Sequence, residues 1–317
     1  MSLTKYPNGI LATPNIGGSD YAGMFGTKVW FVDGDNGSDG NPGTNDKPFA
    51  SIQNAINASS SMDTIYISPL APDADASEPG TYEEDLTIVY AKHGLKLIGT
   101  GPSAGSKIPF FGPKIKNATA AALLTVNASG VHIEGLQFDC TRNSGTYGIR
   151  LQGVAGYATL AGSVGATITN CYFKNASATY GAISVYGGYG SVISNCTFGL
   201  GTDALAINLD CNTVPNNSHT IQYCDFKSNN GVAVALHMSL ENSKDVNVDH
   251  CNFDLATKFI TVIDGCTGSI SNCTFNNGST AIIANSTGQI EIPAACDEVG
   301  IAACWGGDGT AVDSSGD

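Results

Sequence analysis

Two outward positions in successive strand-like phrases carry the residue types of an acid–base pair. Asp210 follows Leu209 in Ile207-Asn208-Leu209, and His237 follows Leu236 in Val234-Ala235-Leu236. If the two phrases stack, carboxylate and imidazole lie one above the other on a polar face, with Tyr186 one repeat before. A carboxylate beside a histidine can tune it for proton transfer. The same stack also describes a solvated His–Asp contact. A third carboxylate, Asp203, sits in Gly201-Thr202-Asp203, just ahead of the Ile207 phrase. Glycoside hydrolysis needs two such groups, an acid and a base or nucleophile. The neighbouring position is Thr202, and a turn Asp before an inward strand explains Asp203 equally well. Finally, Asp33, Asp35 and Asp39 alternate through Asp33-Gly34-Asp35-Asn36-Gly37-Ser38-Asp39. Such oxygen ligands could hold Ca2+, although no distal Glu completes the set and turn chemistry alone accounts for Gly, Asn and Asp here.

The elements that must position these residues announce themselves as a repeat. An aliphatic residue, two residues, Cys, one residue and Phe recur as Ile168–Cys171–Phe173, Ile193–Cys196–Phe198, Ile221–Cys224–Phe226, Val248–Cys251–Phe253 and Ile270–Cys273–Phe275. An earlier copy, Ile133–Leu136–Phe138, puts Leu in the Cys slot. The steps between these slots are 35, 25, 28, 27 and 22 residues, the mark of stacked repeats with fixed strands and variable loops. A second, period-two phrase accompanies them: Ile149-Arg150-Leu151, Ile183-Ser184-Val185, Ile207-Asn208-Leu209, Val234-Ala235-Leu236 and Ile260-Thr261-Val262. Each rung therefore holds at least two strands with one apolar side. Asn170, Asn195 and Asn272 precede the Cys slot and suit a left-handed bend. The expected fold is all-β, a single right-handed parallel β-helix closed by a short helix near residues 48–57. In that helix Phe49, Ile52, Ala55 and Ile56 share a face, and Pro48 suits its first turn. Residues 1–28 read as an extended arm, 29–292 as the solenoid and 293–317 as a C-terminal cap or tail.

Five of the ten cysteines share the repeat slot and are expected as an internal column. Equivalent side chains on neighbouring rungs run parallel, the wrong torsion for a disulfide. No Cys-x-x-Cys or Cys/His spacing suggests a metal centre. Cys296 and Cys304 lie outside the column and could pair.

Hydrophobic residues make up 42% of the 317 and charged residues 13%, with 39 Gly, a composition of short strands and tight turns. The net charge of −14 argues against nucleic acid and anionic membrane as partners. The opening MSLTKYPNGILATPNIGG has no apolar signal core, and no apolar run is long enough to span a membrane. Synthesis in a host cytoplasm without export is expected.

Residues 29–90, through VWFVDGDNGSDGNPGTNDKPFASIQNAINAS, DTIYIS and GTYEEDLTI, resemble the N-terminal opening of pectin-lyase-like parallel β-helix proteins. That resemblance implies the fold, and the superfamily spans polysaccharide lyases, glycoside hydrolases, phage tailspikes and non-enzymatic virion proteins. Gly201-Thr202-Asp203-Ala204-Leu205-Ala206-Ile207 is similar to the Gly-Asp-Asp-x-Ile-Ala-Ile segment of polygalacturonase-type hydrolases. The first Asp is Thr202 here, and the following Gly-His-Gly is replaced by Asn229-Asn230-Gly231-Val232. The resemblance thus implies a phage virion structural protein, a head-decoration or spike component, homotrimeric and joined to other virion proteins through its arm. The alternatives are a polysaccharide-degrading tailspike and a carbohydrate-binding adhesin of host-surface glycan. The adhesin would use Tyr186 and Tyr189.

Overall fold

Alternation decides which side chains turn inward. In Thr64–Ile67, Ile65 and Ile67 are fully buried, and in Val29–Val32 the same is true of Trp30 and Val32. Repetition of such strands builds a ladder. The computed structural model describes residues 28–72, 80–101, 112–117, 121–141, 147–152, 164–174, 181–200, 205–210, 216–228, 234–239, 243–254, 258–262, 266–276, 283–284 and 289–291.

Three parallel sheets run the length of this solenoid. The first has ten strands, from Val29–Val32 to Gln289–Glu291. The second has eight, from Thr81–Tyr82 to Thr274–Asn276, and the third has eight, from Leu86–Ile88 to Ile283–Ala284. Each rung visits first, second and third sheet in that order. A small three-stranded sheet, Gly188–Tyr189, Asn216–Asn217 and Ser243–Lys244, adds a corner between third and first.

The repeated phrase stacks as its spacing predicts. Ile168, Ile193, Ile221, Val248 and Ile270 pair in register on the first sheet. Phe138, Phe173, Phe198, Phe226 and Phe253 stack along the second, with ring centroids 5.2, 5.0, 4.8 and 4.8 Å apart. The five slot cysteines are buried and free, as are Cys140 and Cys266. Asn170, Asn195 and Asn272 adopt φ of 53°, 52° and 52°, the left-handed bend their residue type suggested. Gly135, Tyr223 and His250 occupy the same corner, with φ of 69°, 53° and 50°. Each corner N–H reaches the next rung, as in Asn195 N–H to the Gln222 carbonyl at 3.1 Å.

Two expectations need correction. The helix is Ile52–Ala58, not a segment starting near Pro48. Phe49 is extended instead: its N–H donates to the Phe31 carbonyl and its own carbonyl accepts from Asp33 N–H, each at 2.9 Å. Its ring stacks on Trp30 at 5.7 Å. Ser51 caps the helix, accepting from Asn54 N–H, and the Glu84 carboxylate accepts from Ile52 and Gln53 N–H at 2.8 Å each. Ile52, Ala55 and Ile56 then close the apolar end of the solenoid. The second correction is register. Leu236 pairs with Ile207 and Ile260, and Met238 with Leu209 and Val262. The phrase of that rung is thus Leu236-His237-Met238 rather than Val234-Ala235-Leu236. A shift of two residues keeps every side chain on its face, so alternation alone does not detect it.

The arm, apart from Lys28, and the tail lie outside the described residues, as do Asp203, Cys211, Cys296 and Cys304. No helix among the described residues is long and apolar enough to cross a membrane.

Candidate functional site

The corner between first and second sheets is always two residues, such as Asn170-Cys171 or Asn195-Cys196. The third sheet is bordered differently. Connections of unequal length flank it: 140–146, 175–182, 201–204 and 229–233 on one side, and 153–166, 187–191 and 211–219 on the other. Loops on a rigid scaffold are where binding and catalytic residues concentrate, so the outer face of the third sheet is the candidate site.

Its outward positions form two lines. Thr125, Arg150, Ser184, Asn208, His237 and Thr261 pair successively along one. Gln152, Tyr186, Asp210 and Ser239 pair along the other. Asp210 therefore does stand beside Tyr186, as expected, but its partner on the following strand is Ser239. His237 stands beside Asn208. The expected Asp210–His237 stack is not formed, because the strand is registered two residues away from the alignment assumed above.

The geometry brings forward a different residue. The Arg150 guanidinium carbon lies 5.1 Å from the Tyr147 ring centroid and 5.6 Å from that of Tyr186. Both distances fall within cation–π reach. Its Nε is shielded from solvent and has no hydrogen-bond partner among the described residues. Ser184 and Asn208, next on the same line, are only 1% and 7% exposed although they alternate with core residues. The site is thus a sheltered polar strip with a cation held between two aromatic rings. Such a strip suits a ligand that offers acceptors to a guanidinium and a flat apolar surface to tyrosine. The sequence did carry a signal: Arg150 is the charged residue in the series of otherwise neutral outward positions in the second phrase.

Imidazole–carboxylate pairs do occur, on the first sheet. His132 Nε2 lies 3.0 Å from Glu134 Oε2, and His250 Nδ1 lies 2.7 Å from Asp249 Oδ2. Hydrogen bonds from His132 and Asn170 hold Glu134 below its usual pKa. Hydrogen bonds from Ser271, His250 and Asn272 bring Asp249 down to about 2. Carboxylates held so firmly ionised are poor proton donors near neutrality. The sequence reading missed both pairs because their members are adjacent or two apart, without a motif.

The acidic loop is a turn scaffold. Asp33 accepts from Asp35 N–H, Asn36 N–H and the Asn36 side chain, at 3.0–3.1 Å. Asp39 accepts from Ala50 N–H, Ser51 N–H and Ser51 Oγ. Asp35 accepts from Ala71 N–H at 2.6 Å. The three carboxylates are directed to different partners, and among the described residues no group of three or more His, Cys, Asp or Glu converges on a metal position.

Comparison with known proteins agrees with this architecture. A family model described as a right-handed β-helix region matches residues 121–294. Among solved structures, pectin methylesterase from Aspergillus niger is similar in two forms. One shares 17% identity, covers 83% of this chain and 83% of that one, and has a TM-score of 0.55. The other shares 16% identity, with 90% and 91% covered and a TM-score of 0.55. A lacto-N-biosidase from Eubacterium ramulus shares 10% identity over 87% of this chain and 66% of that one, at a TM-score of 0.42. A search of curated sequences finds no match. At these identities the neighbours speak to fold alone, and with the family model spanning more than half of its residues, the chain belongs to the right-handed β-helix family.

Proposed function

We propose that this chain is a structural component of a bacteriophage virion, a head-decoration or spike protein that works as a homotrimer and joins other virion proteins through residues 1–28. The observation that carries this reading is the uninterrupted ladder of ten parallel strands from Val29 to Glu291. Its interior is a set of identical stacked side chains, which suits a rigid spacer. The register at Asp210 and His237 also separates the two groups most suited to acid–base work on the third sheet. Electron cryomicroscopy of purified particles tests the proposal. The expected result is this solenoid in symmetric copies on a shell or tail, lost when residues 1–27 are deleted. Particles without the chain, together with glycan cleavage by the free protein, would overturn it.

A second reading, recognition of a surface glycan, is favoured by the Tyr147–Arg150–Tyr186 cluster. The similar structures named as pectin methylesterases make an acidic pectin-type polysaccharide the first ligand to try. On this reading Arg150→Met reduces retention on the immobilised polysaccharide by about tenfold or more, the loss of one charged hydrogen-bonding group. Equal retention of both proteins would end the glycan reading at this face and leave the virion reading untouched.

A further inference from the structure

The five slot cysteines, Cys171, Cys196, Cys224, Cys251 and Cys273, form a continuous line of thiols inside the solenoid, each at most 2% exposed. Consecutive members touch: the Cys196 thiol interacts with those of Cys171 and Cys224, and the Cys251 thiol with those of Cys224 and Cys273. Cys251 N–H also points at Cys273 Sγ, 3.4 Å away. Each thiol otherwise meets only backbone carbonyls, as Cys196 does with Ser194 at 3.3 Å and Ile168 at 3.7 Å. Equivalent atoms on paired strands repeat at about 4.8 Å. Two metal–thiolate bonds of about 2.3 Å laid end to end nearly span that repeat. The Cβ–Sγ bonds project across the ladder, so an ion between two sulfurs would sit on the ladder axis with an open, near-perpendicular angle at each sulfur.

We propose that this column binds soft monovalent cations of the copper(I) or silver(I) type, one between each pair of consecutive thiols. Thiolates select such cations, and linear two-coordination needs only two donors per ion, so no convergent three-ligand cluster is required. Zinc, which wants four tetrahedral ligands, is not accommodated. Each cation entering displaces one thiol proton to solvent, and bonds of sulfur to hydrogen are exchanged for bonds of sulfur to metal without oxidation. Four cations replace four protons, the fifth thiol keeps its own, and the apolar core gains no net charge. Entry requires rungs to open locally, which stacked repeats permit, so uptake is slow.

The test uses the full chain and silver(I), with bound ions counted by mass spectrometry under native conditions after gel filtration. Cys140, Cys211, Cys266, Cys296 and Cys304 give a background common to every variant. Cys224→Val splits the column into two pairs, and the expected result is two fewer silver ions than in the parent, with melting temperature raised by silver in the parent more than in the variant. A variant with Cys196, Cys224 and Cys251 all Val should lose all four. Circular dichroism without silver verifies that each variant folds, and Cys224→Ala replaces Cys224→Val if it does not. Equal silver counts in parent and variant, or unfolding of the parent by silver, would overturn the proposal.

Discussion

His219 takes the place in an interior line that neighbouring rungs fill with Ala166, Ser191 and Val246, linked through Val192 N–H to Ala166 O, Thr220 N–H to Ser191 O and Asn247 N–H to His219 O. It is 1% exposed, and its Nδ1 accepts the Ser191 N–H at 3.2 Å, which assigns the proton of the neutral ring to Nε2. Burial pushes its pKa down to about 4. The unfolded chain, at the ordinary histidine value near 6.5, takes up a proton first. Stability is therefore intact above about pH 6.5 and falls as pH drops toward 4, by on the order of 3 kcal/mol over that window. Asp249 behaves oppositely and lower: its hydrogen bonds contribute above the ordinary carboxylate range and are lost toward pH 2. Urea unfolding between pH 7 and 4.5 should show a steep loss for the parent and a much shallower one for His219→Val. Parallel curves would mean that His219 is not the group responsible. Nothing in Asn217-Ser218-His219-Thr220 distinguishes this imidazole from a surface one; only its pairing with Ser191 places it inside.

Corners and columns show how far strand pattern reaches. Asn170, Asn195 and Asn272 were legible because Asn tolerates a left-handed backbone. Tyr223 and His250 hold the same conformation without any residue-type signal, and the stack imposes it on them. Bulky residues there carry about 1 kcal/mol of strain, set against the contact of their rings, 5.0 Å apart. Tyr223→Asn should raise stability by about 0.5–1 kcal/mol, read as a higher urea midpoint with an unchanged slope. A lower midpoint would show that the ring contact outweighs the strain. The cysteine slot was legible for the opposite reason, since five equivalent residues at rung spacing leave no other arrangement. Cys224, with Cys196 and Cys251 on either side, should tolerate Val but not Asp. An uncompensated carboxylate in that line costs several kcal/mol or forces its own protonation, and a melting temperature within a degree or two of the parent would refute the register. Legibility failed at Leu236-His237-Met238. Period-two alternation fixes which face a residue takes and not which partner it meets, so the acid–base pair inferred from Asp210 and His237 dissolved with a two-residue shift.

A ladder of ten parallel strands has two ends, and an open strand edge invites another chain to add to it. The described end is closed by two devices. Isoleucines and alanine of the helix cover the core, while the edge of Val29–Val32 is occupied by Phe31 N–H to Gly43 O at 3.0 Å and by the bonds of Phe31 and Asp33 to Phe49. This assigns the acidic loop a role that residue types alone could not separate from cation binding. Asp33 shapes its turn, and Asp39 ties it to Ala50 and Ser51 at the helix start. The extended Phe49 also explains why the helix begins later than its apolar spacing suggests. Asp39→Ala removes charged hydrogen bonds to two backbone N–H groups and a hydroxyl, a loss of about 1–3 kcal/mol, and loosens the cover over the edge. The variant should melt several degrees lower and associate with rising concentration in sedimentation velocity, beyond any assembly the parent shows. A cover held by hydrogen bonds alone keeps its melting temperature when calcium is removed with a chelator. A parent that loses as much stability on chelation as Asp39→Ala does would place a cation in the loop, and the edge would then be guarded by metal rather than by the fold itself.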